Sequence, residues 1–263
     1  MGEVASQRVV VIGAGRVATH LAPALLRAGH KLQQVWSRTE DSARQLAEPW
    51  GISYTSDLAA VVTDADVYIF CVSDSALPEV AAQVVSRVGP APLFLHTAGS
   101  VGIELWQHCG ARRYGILYPL QTFSKERVVD FREVSLFLEA SDEATMAAIE
   151  EVAHGLSGKV YRADSKRRAR LHVAAVFACN FANAMYDAAC RLLAEEDIPF
   201  EVMLPLIDET AAKVHVLAPH EAQTGPAVRG DNAVMKRHMD TLAADEELQA
   251  MYAMISNYIN RNK

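Results

Sequence analysis

Along the first 160 positions, short apolar blocks alternate with stretches of helical spacing. Arg8-Val9-Val10-Val11-Ile12 is a β-branched run stopped by Gly13, which predicts a buried strand. A helical pattern follows from about Val17 to Ala28 and is closed by Gly29. The same alternation predicts strands at 32–37, 66–72, 93–97, 114–118, 134–139 and 158–162, with helices at 40–48, 76–87 and 142–154. Strands alternating with helices of this length form βαβ units, which pair in parallel through right-handed crossovers. Residues 1–163 are therefore expected to form an α/β doubly wound Rossmann sheet.

The pattern changes near Asp164. From Ser165 onward the apolar spacing is helical, over 167–194, about 199–217, about 232–243 and about 246–260, with Pro199, Pro205, Pro219 and Pro226 between. Residues 164–263 are expected to be an all-α C-terminal domain. Segment 171–190 is small and apolar almost all round, which predicts burial. Its polar exceptions share a face. At about 100° per residue, Asn183 lies roughly 20° from His172, Asp187 about 60° and Asn180 about 80°.

Composition narrows the function classes. The 263 residues carry 25 Lys+Arg and 32 Asp+Glu, a formal net charge of −7. An acidic chain without a basic block argues against nucleic acid and against an anionic membrane as partners. The short cluster Lys166-Arg167-Arg168 does not change that. No apolar run reaches the roughly 20 residues that span a bilayer, and no apolar leader precedes the first strand. The start, Met1-Gly2-Glu3-Val4-Ala5-Ser6, matches the short myristoylation pattern but runs almost at once into a strand. Cys71, Cys109, Cys179 and Cys190 form no C-x-x-C pair, and three sit in apolar runs. They read as buried, reduced thiols of a cytoplasmic protein. No metal-ligand spacing occurs, since His215 and His220 are separated by Pro219.

Gly13-Ala14-Gly15-Arg16-Val17-Ala18 is a G-x-G-x-x-A run after a strand and before a helix. Gly13 permits the tight turn, Gly15 lets backbone approach a pyrophosphate, and Ala18 packs helix on strand. The N–H groups of the following helix then face the phosphates. At the tip of the second strand, Ser37-Arg38-Thr39 carries no acid for a ribose diol. Its hydroxyls and guanidinium suit a 2′-phosphate, so the expected cofactor is NADP. Arg16 is a second candidate cation; alternatively, Arg38 pairs with Glu40 or Asp41. Val72-Ser73, His96 and Ser100 end later strands and are expected to line the same crevice, followed by Gln121 and Thr122 beside the substrate.

These motifs, with His96-Thr97-Ala98-Gly99-Ser100, Pro119 to Ser124, Leu171-His172 to Asn180-Phe181 and Thr224 to Asp231, resemble one family. It is that of the bacterial Rossmann-like NADP oxidoreductases with an uncharacterised helical C-terminal domain. These are grouped with deazaflavin-dependent NADP reductases, pyrroline-5-carboxylate reductases and ketopantoate reductases. The resemblance implies an NADP-linked two-domain fold and a homodimer through the helical domain. Tyr118 departs from it, standing where the family often has His, and is not counted among the proton donors.

A reductase acting on a carbonyl or imine needs a proton donor to the heteroatom that gains charge. His172 is the first candidate, with Asn180 and Asn183 orienting the substrate; a core or interface network is the alternative. Lys166 is a second candidate, because related reductases place a lysine near this helix; the alternative is a solvated lysine. Arg229 could clamp a substrate carboxylate or pair with Asp231 or Glu209. The expected function is hydride transfer from NADPH to a small carbonyl or imine compound, such as a keto acid of the ketopantoate or pyrroline-carboxylate type. The competing reading is a non-catalytic dinucleotide sensor.

Overall fold

The computed structural model describes residues 6–262, so the myristoylation-like start lies outside the described residues. Eight strands form one sheet: β1 (Arg8–Ile12), β2 (Lys31–Trp36), β3 (Ser53–Thr55), β4 (Val67–Phe70), β5 (Leu93–His96), β6 (Arg113–Leu120), β7 (Ser135–Ala140) and β8 (Val160–Arg162). Their spatial order is β3-β2-β1-β4-β5-β6-β7-β8. The chain moves outward from β1 in one direction, then restarts beside β1 with β4. That reversal opens a crevice at the carboxyl ends of β1 and β4. β7 runs antiparallel to β6, a departure from the all-parallel expectation. The connection between them contains only a 3₁₀ turn, Phe131–Glu133, and no crossover helix to reverse the chain.

The helices of the first unit are α1 (Arg16–Arg27), α2 (Glu40–Ala47), α3 (Leu77–Val88), α4 (Glu104–Cys109), α5 (Glu143–Leu156) and α6 (Ser165–Ala175). Alternate residues of β1 serve opposite faces, as the two-residue repeat of a strand requires. Val9 and Val11 pack with Leu21, Leu25, Ile149 and Val152. Val10 and Ile12 pack with Val80, Ala81, Val84 and Trp106. A central strand buried on both faces reads as a continuous apolar run, and β1 and β4 do.

Contacts divide the described chain at Cys179/Asn180 rather than at 163/164. The reason is that the first turns of α6 are bonded to the sheet: Ser165 donates to the Glu139 carboxylate of β7 at 2.7 Å. The helix continues through a π-helical turn at Val176–Phe181 into α7 (Ala182–Ala194). This 30-residue helix is long and apolar enough to cross a membrane by length and composition alone, contrary to the expectation that no such run exists. The second unit adds α8 (Leu204–Lys213), α9 (Pro219–Ala222), α10 (Pro226–Arg229), α11 (Asn232–Thr241) and α12 (Glu246–Arg261). It contains no strand among the described residues. Its core is thin: among the described residues, Ala227, Leu242 and Leu248 are its buried hydrophobics. The predicted burial of 171–190 is not met within one chain, where Phe177 is 66% exposed. Cys179 and Cys190 are likewise exposed, Cys109 is half-buried, and only Cys71 is a buried thiol.

Candidate active site

The glycine turn is built by the sheet beneath it. Gly13 sits at φ +116°, and a Cβ there would lie 2.5 Å from the Cys71 carbonyl oxygen at the end of β4. Its N–H donates to the Trp36 carbonyl of β2 at 2.7 Å. The turn is thus clamped between two strands and accepts only glycine. At Gly15 a Cβ would meet nothing nearer than 3.8 Å, so its bare backbone faces open space. That space is a cavity of about 660 Å³ lined by Gly13, Ala14, Gly15, Ser37, Arg38, Thr39, Val72, Ser73 and Lys125 among others. Gly15 N-caps α1 in extended conformation with no side-chain cap, which leaves the first N–H groups of α1 to a ligand. Val17 packs on the core and offers only its N–H, and Arg16 is exposed on the first turn. Glycine cradle, helix start and cation suit the adenosine and phosphate half of a dinucleotide.

Arg38 is exposed and pairs with neither Glu40 nor Asp41; Asp41 is taken by Arg44 at 2.8 Å. Ser37 is buried, and Thr39 donates to Ser42 at 2.8 Å. Ser73 shares a hydrogen bond with Ser75 at 3.2 Å.

Along the same sheet edge, the tips of β5 and β6 carry a second constellation. The Tyr118 hydroxyl and His172 Nδ1 are 3.1 Å apart. Gly99 brings the chain against both: a Cβ there would lie 2.7 Å from His172 Nδ1 and 2.8 Å from Tyr118 Cζ. Ser100 donates a short hydrogen bond to Asp74. Burial pushes the Tyr118 phenol above its ordinary range, with the nearby Arg168 lowering it and the Asp74 charge adding to the rise. Tyr118 therefore holds its proton firmly.

His172 owes its place to a buried ion pair one helical turn before it. Arg168 is 1% exposed and donates a short bond to Glu139 on β7. It also donates to the Val101 carbonyl at 2.6 Å and to Ser165 Oγ at 3.1 Å. The loop carrying Gly99 is held by the same cluster, since the Ile103 N–H donates to Ser165 Oγ at 3.2 Å.

The other expected site residues face the core or solvent. The His96 side chain turns into the core, stacked on Trp106 at 5.8 Å, and burial holds its pKa near 3, aided by the Arg168 charge. Only its backbone ends the strand at the site. Gln121 folds back to accept from the Thr122 N–H at 2.8 Å, and both are exposed. Lys166 lies on an exposed face with Arg167 and Arg170, as a solvated lysine would. Asn180 and Asn183 are exposed. The π-helical turn at Val176–Phe181 breaks the 100° periodicity that aligned them with His172. Arg229 is exposed at the end of α10 and pairs with neither Asp231 nor Glu209; Asp231 instead caps α11 by accepting from the Val234 N–H at 3.1 Å. Sequence reasoning missed Tyr118, Arg168 and Lys125. For Tyr118 and Arg168 a partner distant in sequence gives no local signal, and Lys125 is an exposed loop cation that only the fold brings to the cavity wall.

Comparison with known proteins supplies the lineage. Residues 8–92 match the family described as NADP oxidoreductase, coenzyme F420-dependent, and residues 134–259 match a domain of unknown function, DUF2520. A crystal structure from Bacteroides fragilis, provisionally described as an NADP oxidoreductase, is 48% identical over 97% of this chain and 98% of that one, with TM-score 0.93. The chain belongs to this oxidoreductase family. Its fold also matches an imine reductase from Myxococcus stipitatus in complex with NADP+, at 17% identity, 97% and 93% coverage and TM-score 0.67. A glycerol-3-phosphate dehydrogenase [NAD(P)+] of Trichormus variabilis is 27% identical over 57% of this chain. The matches span only 46% of that relative and 33% of its Enterococcus faecalis counterpart. As a member of an NAD(P)-dependent oxidoreductase family, this chain carries the nicotinamide dinucleotide fold.

Proposed function

We propose that the protein is an NADPH-dependent reductase of a small carbonyl or imine compound. NADP over NAD is favoured by the strand tip Ser37-Arg38-Thr39, which has no acid and an Arg38 free of ion pairs among the described residues. The observation that carries the reductase reading is the Tyr118–His172 hydrogen bond at the sheet edge that also bears the glycine cradle.

A dinucleotide held at the Gly13–Gly15 cradle would supply a hydride to the substrate carbon. The chain supplies the proton. The charge that grows on the substrate oxygen or nitrogen draws the hydrogen from the Tyr118 hydroxyl. The His172 Nδ1–H donates a hydrogen bond to the tyrosine oxygen as its charge grows, and solvent then returns the proton to Tyr118. Lys166, Asn180, Asn183 and Arg229 take no part in this account, and Gln121 and Thr122 meet the substrate only if they turn toward it.

The thin core of the second unit supports a homodimer. α7, α8 and α11 have no buried residue, and Met254 and Tyr258 of α12 are 72% and 68% exposed. Helices of 10–13 residues need a packed apolar face to persist. A second copy, with the same unsatisfied faces, is the partner that supplies it.

The test is NADPH oxidation followed at its nicotinamide absorbance against 2-keto acids, ketopantoate and cyclic imine carboxylates. Turnover of one class with NADPH preferred over NADH supports the proposal. Tight NADPH binding without turnover of any of them favours the sensor reading.

A further inference from the structure

The connection between β6 and β7 is tied to α1, the helix that begins at the glycine cradle. His20 of α1 is buried, and its Nε2 lies 2.7 Å from the Ser124 carbonyl, to which it donates. Its ring stacks on Phe123 at 5.1 Å, and Phe123 stacks in turn on Phe131 at 6.1 Å. The very next residue, Lys125, lines the cavity with Gly13, Ala14, Gly15 and Arg38. His20 lies four residues beyond Arg16, about 6 Å along the helix from its first N–H groups, a span that a lysine side chain crosses. Lys125 has no ion-pair partner among the described residues, and the acid on the same wall, Glu79, accepts from Gln83 at 3.2 Å.

We infer that Lys125 binds the diphosphate of the dinucleotide, as a cation brought over the cradle by a connection that His20 pins to α1. This rests on the dinucleotide reading of the groove. Gly13, Ala14 and Gly15, which line the cavity, offer only backbone N–H groups and the helix dipole to two negative charges. A flexible ammonium at its rim adds a charge-assisted bond without the planar geometry that a 2′-phosphate site would draw from Arg38. Lys125 is a binding residue, and His20 is a positioning residue acting through it.

The experiment titrates NADPH, NADH and ADP against the full-length protein by fluorescence or calorimetry. Lys125→Ala is expected to weaken all three by about tenfold, the size of one charge-assisted hydrogen bond, with the loss shrinking as salt rises. Arg38→Ala, by contrast, weakens NADPH alone. His20→Phe keeps the stack on Phe123 and removes the donor. It is expected to match the Lys125→Ala loss and to add nothing in the double variant, whereas His20→Gln, which keeps a donor, restores binding. Melting temperature reports whether each variant folds, and Lys125→Ala, an exposed change, leaves it unmoved. An unchanged affinity for ADP and NADH in Lys125→Ala overturns the assignment, as does additivity of the His20 and Lys125 losses. Wild-type protein that binds none of the three overturns the groove reading itself, and the assignment with it.

Discussion

Burial gives Tyr118 and His96 opposite duties. Tyr118 keeps its proton past the ordinary tyrosine range because a phenolate there would be desolvated and would feel Asp74. Its proton thus stays ready throughout the neutral range. Tyr118→Phe is expected to lower kcat by about a hundredfold to ten-thousandfold while leaving the Kd for NADPH unchanged, and kcat should not fall on the alkaline side until above about pH 10. A variant retaining wild-type kcat would remove Tyr118 from the chemistry. His96 is kept neutral, its folded pKa held near 3 against 6.5 in the free residue. Because the unfolded chain binds this proton first, stability is full above about pH 6.5 and is lost as pH falls toward 3. The slope reaches about 1.4 kcal/mol per pH unit. Denaturant melts across that window should show the slope, and His96→Phe should reduce it.

At the scale of elements, α6 is the piece that joins fold to chemistry. Arg168 and Glu139 are 29 residues apart in sequence, and their buried contact fixes the turn that precedes His172. Removing one partner leaves an isolated buried charge. Arg168→Met or Glu139→Gln alone is therefore expected to cost about 3–5 kcal/mol, with the pair of changes costing less than their sum. Additive losses in chemical denaturation would show that the two do not act as a unit. This element also marks where the sequence could and could not be read. β1 and β4 were legible because a strand buried on both faces must be apolar at every position. β3, Ser53-Tyr54-Thr55, escaped because an edge strand of polar residues has no such pattern. Arg168 stood in a run of cations and looked solvated; only its distant acid makes it a core residue. The glycine cradle was legible because its spacing follows from steric needs within a few residues. The Tyr118–His172 dyad was not, because it joins side chains 54 residues apart. The π-helical turn defeated the angular argument for Asn180 and Asn183, since one period no longer describes the helix.

For the whole molecule, the contrast between its units is the informative feature. The sheet unit buries Val9 to Ile12 completely, while the helical unit leaves long apolar side chains in solvent, Val216 at 81% among them. Sedimentation equilibrium is expected to give a mass near twice 28.7 kDa, and charged replacements at Met254 and Tyr258 should halve it. A wild-type chain that sediments as a monomer at micromolar concentration would contradict the dimer. Because the cradle lies within the sheet unit, the charged variant should still bind NADPH.

The most direct measurement is a crystal structure of the protein with NADP bound. The diphosphate is expected over Gly13–Gly15, the 2′-phosphate on Arg38, and the nicotinamide C4 beside Gly99 with room for a substrate against the Tyr118 hydroxyl. A nicotinamide ring held away from the Tyr118–His172 pair, or a cradle left empty at saturating NADP, would contradict that placement.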